Sequence, residues 1–472
     1  MISPWSKTLL LLGGLLGLLY VVLTPPFQAP DEQTHFFRAY QVAAGQLVAI
    51  KHGQRSGGVL PESLLATVQA SRLYEIQFHP DKTLSWRETH ALFSIPLQPQ
   101  ITRFVEFPNV VPYSPILYLP QSIGIFIGKS LNAPPIVLMY IGRLANLLAS
   151  LCLFALAIHL TPICQAVFFL VVLMPICLFQ IASLSADGMT FGITLLFVGI
   201  VLNLAYAPAP LPQRMRTWVL SLVAVALSLV KTAYLPMLLL FLLLPTQIFG
   251  SKWRHARMAA LLAGLSLLAG GLWSSAVQRV YVPETWNGGN PPGQLQFILQ
   301  HPVAFVGVLF RDVFLRKYLG YADYSRTFTY PDSYIGQLGV LGWVDAPLPG
   351  PAMDLWWLFL LALACTTRRT DITIPRLGKL CIAGTVLLTT TATLSLLYVC
   401  CSPPGANFII GQGRHILPIV PLLLLLPYDT ALTHWIHRKY PTLDIKTEKL
   451  AIPVALAINL AAFYAIKTRY YG

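Results

Sequence analysis

The chain has 472 residues, of which 56% are hydrophobic and 11% charged, and its mean hydropathy is +0.64. This apolar fraction exceeds what the core of one soluble domain can bury, so the composition predicts a polytopic membrane protein. A net charge of +14 would suggest nucleic-acid binding in a soluble protein. Here the basic residues collect in short loops between apolar runs, where they report membrane orientation, and we expect no nucleic-acid partner.

Long apolar runs dominate the chain and lack the alternating pattern of a transmembrane barrel. Their backbone groups can be satisfied in lipid only within helices, which predicts an all-α fold. One run, 217–248, is broken at Lys231-Thr-Ala-Tyr-Leu-Pro236, where we expect two short helices to turn. With this pair, the sequence predicts about eleven transmembrane helices in a single membrane domain, 1–472. The other runs are 8–24, 140–160, 165–183, 189–206, 259–276, 352–367, 379–400, 416–433 and 449–466.

Basic residues in the short loops orient these helices. If the short apolar segment 115–127 does not cross and 217–248 is a hairpin, all four basic loops lie in the cytoplasm with the N-terminus. If 115–127 crosses, the later loops change sides. The first arrangement agrees better with the positive-inside rule. The run 8–24 could be a signal peptide, but 24–30 offers no convincing small-x-small cleavage site, so we expect a retained signal anchor. The basic positions are Lys7, Arg214, Arg216, Lys252, Arg254, Arg257, Arg368, Arg369, Arg376, Lys379, His437, Arg438, Lys439, Lys446 and Lys449.

This topology leaves two large extracytoplasmic loops, at about 25–139 and about 277–351. Both contain amphipathic stretches, tryptophans and many prolines, and we expect them to be folded. Their predicted interfacial helices are 32–44 and 296–316, although Pro302 makes the start of the second uncertain.

Known cofactor and disulfide patterns give little guidance. The chain has no Walker A sequence and no Gly-x-Gly-x-x-Gly after a predicted strand, so nucleotide binding has no support. All seven cysteines lie in or beside apolar segments without zinc-like spacing, which argues against structural disulfides and a zinc site.

Polar residues that are costly to place in a membrane fall almost entirely at the predicted outer edge. They come from separate parts of the chain but share one level, which predicts a common cleft. They are Asp31, Glu32, His35, Arg38, Arg143, Asn146, Asp187, Lys231, Arg414 and His415.

The most concentrated group is Pro30-Asp-Glu-Gln-Thr-His-Phe-Phe-Arg-Ala39. If Asp31 starts a helix, its carboxylate, His35 and Arg38 share one face. The helix dipole keeps such a carboxylate ionised, which suits a base or a metal ligand. The alternative is an ordinary N-cap with ion pairs on the helix surface.

The other candidates also have structural interpretations. Arg143 could extend to the lipid headgroups, and Asp187 precedes a glycine in a pattern typical of turns. Lys231 and Arg414 are two cations at one depth, which fits a phosphate site, although both could instead contact headgroups.

Four ordered motifs carry a resemblance to known membrane proteins. The architecture resembles the GT-C superfamily of membrane glycosyltransferases, which includes protein O-mannosyltransferases and the lipid A aminoarabinose transferase. More closely, the chain resembles a bacterial family of predicted membrane proteins of unknown function, thought to share that fold. The motifs are Pro-Asp-Glu-x-x-His-Phe-x-Arg-Ala from Pro30, Ser183-Leu-Ser-Ala-Asp187, Gly339-Val-Leu-Gly-Trp343 and Gly411-Gln-Gly-Arg-His415.

The resemblance implies a GT-C-like fold in the bacterial cytoplasmic membrane and transfer of a sugar from a polyprenyl-phosphate donor. Asp31 would be the general base of an inverting reaction at the extracytoplasmic face, with Glu32 and His35 beside it. Lys231, Arg414 and Arg143 would bind the donor phosphate. Arg38, Asp187, Asn146 and His415 would orient a glycan, lipid or protein acceptor. If the protein used a divalent cation, Asp31, Glu32 and Asp187 would be its ligands, but the chain has no clear Asp-x-Asp motif to support one.

Three other functions remain open from the sequence. A transporter or flippase of a lipid-linked glycan usually places its binding groups near the midplane between matched broken helices, and this chain has one broken hairpin without a matched partner. A surface-glycan polymerase or ligase would use similar chemistry with another acceptor. In an assembly subunit the charged motifs would be ion pairs and turns.

Overall fold

The computed structural model describes residues 2–207, 212–283, 288–312, 336–367 and 372–472. These residues are mostly helical, and six of their helices are long and apolar enough to cross a membrane. The prediction of a polytopic helical membrane protein is therefore confirmed at this level. The six helices are Pro4–Leu23, Pro135–Leu160, Asp187–Tyr206, Lys252–Gln278, Arg376–Cys401 and Leu443–Tyr470. The first contains a π-helical stretch, Leu9–Gly13.

The remaining predicted crossings are shorter or broken, so the total of about eleven stays a prediction. The shorter apolar helices are Met215–Val230, Thr232–Leu243, Gly350–Thr366 and Gly413–Leu425. Of these, Thr232–Leu243 and the first part of the last, Gly413–Ile419, are 3₁₀ helices. The short helices Thr246–Phe249 and Ala431–Lys439 complete this part of the chain.

The predicted break in 217–248 is confirmed. Helix Gln213–Val230 ends before Lys231, whose backbone is extended, and Thr232–Leu243 follows. Arg216 donates a hydrogen bond of 2.9 Å to the carbonyl of Ile248, so the two ends of the segment meet. The chain therefore reverses direction near Lys231.

The run 165–183, predicted as one crossing, forms two helices, Gln165–Val172 and Pro175–Ile181. A single continuous helix is therefore wrong here, and the crossing itself stays a prediction. Pro175 cannot donate a backbone hydrogen bond, which favours a break before it. The side chain of Asn459 donates to the carbonyl of Leu173 at 3.0 Å and accepts a hydrogen bond of 2.8 Å from Tyr20. This buried amide satisfies a backbone group that the break leaves open.

Helix Asp187–Tyr206 lies at the centre of the bundle, because 83% of its apolar window is buried. Glycines allow it to approach helix Pro135–Leu160 closely. A Cβ on Gly199 would lie 2.6 Å from the carbonyl oxygen of Ala157, and one on Gly188 would lie 2.7 Å from the hydroxyl of Ser150. Small residues permit such approaches between transmembrane helices, and this contact fixes the position of Asp187.

The first predicted outer loop is folded but not wholly helical. Its first helix, Glu32–Ala43, agrees with the prediction for 32–44. A three-stranded antiparallel sheet follows, formed by Ile50–His52, Arg55–Pro61 and Thr102–Glu106, which adds a few strands that were not predicted to a mostly helical protein. Its remaining helical segments are Glu62–Ala70, Leu73–Ile76, Trp86–Ala91, Leu92–Ser94, Pro108–Val110, Pro115–Tyr118 and Leu119–Ser130.

The segment 115–127 is too short to span a bilayer. It forms a 3₁₀ turn and then helix Leu119–Ser130, whose 12 residues extend about 18 Å, less than the roughly 30 Å of hydrocarbon. The adjoining helix starts at Pro135. This geometry agrees with the arrangement in which 115–127 does not cross.

The second outer loop departs from the single helix predicted for 296–316. Two helices, Pro291–Gln300 and Pro302–Phe310, meet at an angle of 105°. Pro302 begins the second helix, where its missing N–H costs nothing. Gly336–Gly339 and the paired strands Val340–Leu341 and Ala346–Pro347 follow. Residues 313–335 of the predicted loop lie outside the described residues, as do the basic positions Arg368 and Arg369 and the side chain of Arg214.

A buried ion pair joins the last helix to both outer loops. Arg469 contacts Asp345 through Nε at 2.9 Å and Nη2 at 2.6 Å. The same guanidinium donates to the carbonyls of Ile76 and Lys82 at 2.6 and 3.0 Å. Both side chains are buried, and burial raises the pKa of Asp345 although Arg469 opposes that rise. The Gly339–Trp343 motif therefore has a structural role beside this contact, because its Gly342 packs closely against Asp345 and Tyr470.

We expect Arg469→Met to lower stability by about 3–5 kcal/mol, because it leaves the Asp345 carboxylate buried without its partner. Thermal unfolding of the purified protein in detergent measures this loss. Arg55→Met is the control, since the Arg55–Glu106 pair is exposed and such pairs contribute about 0–1 kcal/mol. Equal effects of the two substitutions would contradict the role of the buried pair.

Candidate functional site

Four charged side chains from distant parts of the chain form one connected cluster, which we call the charge quartet. Lys231 Nζ lies 2.9 Å from Asp187 Oδ1, and Arg414 Nε lies 3.3 Å from Asp187 Oδ2. Arg414 Nη2 then lies 3.0 Å from Asp31 Oδ2. The structure therefore brings together Asp31, Asp187, Lys231 and Arg414, and their formal charges cancel.

Asp31 occupies the N-cap position of helix Glu32–Ala43, but its side chain does not cap the helix. The simple N-cap interpretation is therefore wrong. Its backbone is left-handed, with φ of 63°, and its carboxylate accepts hydrogen bonds from Arg414 and from Asn109, the latter at 3.3 Å. The Asp31 side chain is 35% exposed, whereas Arg414 is 8% exposed. Asp31 is the open end of the charge quartet.

Asp187 is the first residue of helix Asp187–Tyr206, so the turn interpretation is also wrong. The hydroxyl of Ser185 accepts the backbone N–H of Asp187 at 3.1 Å, which leaves the carboxylate for the two cations. This carboxylate also lies at the positive end of the helix dipole. Asp187 is thus placed to hold Lys231 and Arg414 together.

The two quartet cations meet anions inside the protein and do not extend to headgroups. The side chains of Lys231 and Arg414 are 12% and 8% exposed. Lys231 Nζ also lies 5.0 Å from the centre of the Tyr113 ring, a distance that allows a cation–π contact. Arg414 Nη1 donates to Gln180 Oε1 at 3.4 Å.

Uncharged residues around the quartet were missed from the sequence, because nothing distinguishes them from other tyrosines and amides in apolar segments. Asn109 and Tyr113 come from the first outer loop, and Tyr234 follows the break at Lys231. Gln180 is buried, and its Nε2 atom has no hydrogen-bond partner. A cavity of about 10 Å³ adjoins Gln180, Asp187, Tyr234 and Arg414, roughly the space for one water molecule.

His35 and Arg38 lie in helix Glu32–Ala43, which follows Asp31, but their side chains contact groups outside the charge quartet. His35 Nδ1 lies 2.8 Å from the hydroxyl of Tyr118, and burial lowers the pKa of His35 to about 4. The imidazole is therefore neutral near pH 7, and its hydrogen bond holds the hydroxyl of Tyr118 in place. Arg38 donates to Gln41 Oε1 and to the carbonyl of Leu47, each at 2.6 Å.

Glu32 and Arg143 form a separate, closed ion pair. Arg143 Nε and Nη2 donate to Glu32 at 2.7 and 2.5 Å, and both side chains are almost completely buried. Arg143 also donates to the carbonyls of Val21, Thr24 and Pro25 at the end of the first helix. Its N–H groups are occupied in this arrangement, which favours a structural role over phosphate binding.

Asn146 and His415 also make local structural contacts. Asn146 Nδ2 donates to the carbonyls of Ser183 and Ser185 at 2.8 and 3.2 Å, which fixes the connection before Asp187. His415 Nδ1 accepts the backbone N–H of Gln412 at 3.3 Å, and its carbonyl accepts the hydroxyl of Tyr234 at 2.8 Å. Both residues therefore contact backbone groups near Asp187 and Arg414, and neither side chain contacts a charged group of the quartet.

The proposed metal ligands do not converge. Glu32 is occupied by Arg143, while Asp31 and Asp187 are joined through Arg414. Across the part of the chain that the structure describes, no three His, Cys, Asp or Glu side chains form a group that could hold a metal ion. These carboxylates face cations, so this donor set does not fit a divalent metal.

Fold and site together define a multi-pass membrane protein with a charge quartet at the junction of several helix ends. Residues 14–423 match a family model described as "Predicted membrane protein (DUF2142)", and the chain belongs to that family. Comparison with curated proteins and with solved structures gave no match. The resemblance to a family of membrane proteins without known function is thus confirmed, while the GT-C relationship remains a prediction.

We expect Glu32→Gln to destabilise the protein by about 3–5 kcal/mol, because the Arg143 guanidinium would remain buried without its counter-charge. Thermal unfolding and the yield of monodisperse protein in detergent measure the effect. The double substitution Glu32→Leu with Arg143→Met removes both charges and should recover part of the loss. A stable Glu32→Gln variant that loses only activity would instead assign Glu32 to catalysis.

Proposed function

We propose that the protein is a membrane glycosyltransferase that transfers a sugar from a polyprenyl-phosphate donor to an acceptor hydroxyl at the extracytoplasmic face. The charge quartet is the observation that carries the proposal. It joins one partly exposed carboxylate to two buried cations, which are the groups needed to remove a proton and to stabilise a phosphate.

Asp31 is the proposed general base. The acceptor oxygen attacks the anomeric carbon while its proton passes to the Asp31 carboxylate. The bond between the anomeric carbon and the phosphate oxygen breaks, and its electron pair stays on the phosphate. Attack opposite the leaving group inverts the anomeric configuration. General-base assistance of this kind contributes roughly 10²–10⁴-fold to the rate.

The leaving phosphate gains one negative charge in this step, and Arg414 and Lys231 are the proposed stabilisers of that charge. Asp187 contacts both cations and holds them in position. Gln180 can add an N–H donor, because its buried Nε2 is unpartnered and its Oε1 already contacts Arg414. Glu32 and Arg143 are assigned to support of the fold, which changes their predicted roles.

The proposed orientation follows the basic loops, with the N-terminus in the bacterial cytoplasm and the quartet at the outer face of the inner membrane. Helix Leu119–Ser130 supports it, since it is too short to cross. The GT-C-like fold, the crossing number of about eleven, the polyprenyl-phosphate donor and a glycan, lipid or protein acceptor belong to the same proposal.

A transporter or flippase of a lipid-linked glycan is the second candidate. It is favoured by the non-helical backbone at Lys231 and by the 3₁₀ segment that carries Arg414. Broken helices form the substrate sites of many transporters. The exposed Asp31 carboxylate favours the enzyme, because transport does not require a base.

We expect Asp31→Asn to abolish sugar transfer while the protein still folds, since asparagine keeps the shape and tolerates the left-handed backbone. The measurement is mass spectrometry of surface glycans and free polyprenyl phosphate in a deletion strain that expresses each variant. Asp81→Asn is the matched control, because Asp81 is an exposed carboxylate of the same outer loop.

The control should restore the missing product and Asp31→Asn should not. Restoration by Asp31→Asn would remove Asp31 as the base. An unchanged glycan profile in the deletion strain would contradict a glycosyltransferase. Accumulation of an intact lipid-linked glycan on the cytoplasmic side would favour the flippase.

Single cysteines at Gln54 and Ser251 test the proposed orientation, because both native side chains are exposed. In a variant without the native cysteines, a membrane-impermeant maleimide should label position 54 in intact cells and position 251 only after lysis. Labelling of both positions from outside would contradict the proposed topology.

A further inference from the structure

A second cavity lies at the opposite end of helix Gln213–Val230 from Lys231. It has a volume of about 250 Å³ and is lined by three arginines over an apolar floor. Arg216, Arg254 and Arg257 provide the guanidinium groups, and Ile248, Phe249 and Met258 contribute to the floor. We call this cavity the arginine pocket.

Local charge makes the arginine pocket strongly positive. The sequence contains no Asp or Glu from 188 through 283, so these helices supply no counter-charge of their own. Among the described residues, no ion pair includes Arg254 or Arg257. Helix Lys252–Gln278 also begins here, and its first-turn N–H groups add partial positive charge.

Two exposed tryptophans place the arginine pocket at a membrane surface. Trp218 is 79% exposed and Trp253 is 82% exposed, and both adjoin the lining residues in sequence. Tryptophan is enriched where lipid headgroups meet hydrocarbon. Arg216 precedes Lys231 by 15 residues of largely helical chain, or about 22 Å. The pocket is therefore separate from the charge quartet and lies towards the other leaflet.

We propose that the arginine pocket binds the phosphate of an anionic membrane phospholipid, with Arg216, Arg254 and Arg257 around the phosphate and the apolar floor against the start of the acyl chains. Guanidinium groups suit phosphate because they can donate paired hydrogen bonds. A freely soluble phosphate would use the arginines but not the apolar floor or the neighbouring tryptophans. The proposal requires only a membrane protein and is independent of the proposed sugar transfer.

The test uses the full chain purified in detergent and native mass spectrometry with phosphatidylglycerol or phosphatidylcholine of identical acyl chains. Phosphatidylglycerol should bind more tightly, and Arg254→Gln with Arg257→Gln should weaken its binding roughly tenfold or more. The control is Arg87→Gln with Arg279→Gln, which removes the same charge from exposed positions, one of them just beyond the far end of helix Lys252–Gln278. This control should retain full affinity.

Three outcomes would overturn the proposal. One is equal binding of the two lipids, and another is an equal loss of affinity in the control, which would indicate unspecific attraction. The third is displacement of phosphatidylglycerol by millimolar inorganic phosphate, which would assign the pocket to a soluble anion. Arg254→Lys with Arg257→Lys separates misfolding from lost binding, because it keeps the charge and should retain an intermediate preference for phosphatidylglycerol.

Discussion

The carboxylate of Asp187 is the interaction on which the site depends. It accepts Lys231 at 2.9 Å and Arg414 at 3.3 Å, and all three groups are largely buried. A cation in that setting is costly unless an anion faces it, so loss of this carboxylate would leave Lys231 uncompensated and Arg414 with Asp31 alone. The close glycine-mediated packing at Gly188 places Asp187 there, which links helix packing directly to the electrostatics of the site.

Exposure distinguishes the charge quartet from the other buried pairs. Glu32 with Arg143 and Asp345 with Arg469 are closed, since each side chain is at most 4% exposed. These pairs join helix ends to outer loops and satisfy backbone carbonyls. The quartet differs because it ends in Asp31, which is 35% exposed and accepts only one strong cation contact. Exposure of a carboxylate does not strengthen a structural ion pair, whereas a general base must be accessible to its substrate.

The sequence predicted long apolar helices well, because lipid leaves the backbone few alternatives. It also predicted ten polar candidates at one outer edge, but local spacing could not show which of them would pair. Glu32 and Asp31 are adjacent, yet one faces Arg143 inside the bundle and the other faces Arg414. Asp31 also has a left-handed backbone, which no pattern in the sequence specifies.

Other features were missed for equally physical reasons. The sheet in the first outer loop has strands of three to seven residues, too short for a clear alternation. The turn between its first two strands contains Gly53, which has a positive φ. A single glycine predicts a hairpin only where the flanking strands are already recognised. The break before Pro175 was hidden by continuous apolar sequence. The side chain that satisfies the freed carbonyl of Leu173 belongs to Asn459, which lies 286 residues further along the chain.

Neutrality of the quartet has a consequence for the proposed reaction. An incoming donor phosphate meets no excess positive charge in the charge quartet, and at Arg414 Nη2 it competes with Asp31. Asp187 cannot be displaced as easily, because it contacts both cations and is more buried. Exchange at Arg414 would therefore release the Asp31 carboxylate as the phosphate binds. In the proposed enzyme this couples the two events, since donor binding frees the Asp31 carboxylate from its contact with Arg414.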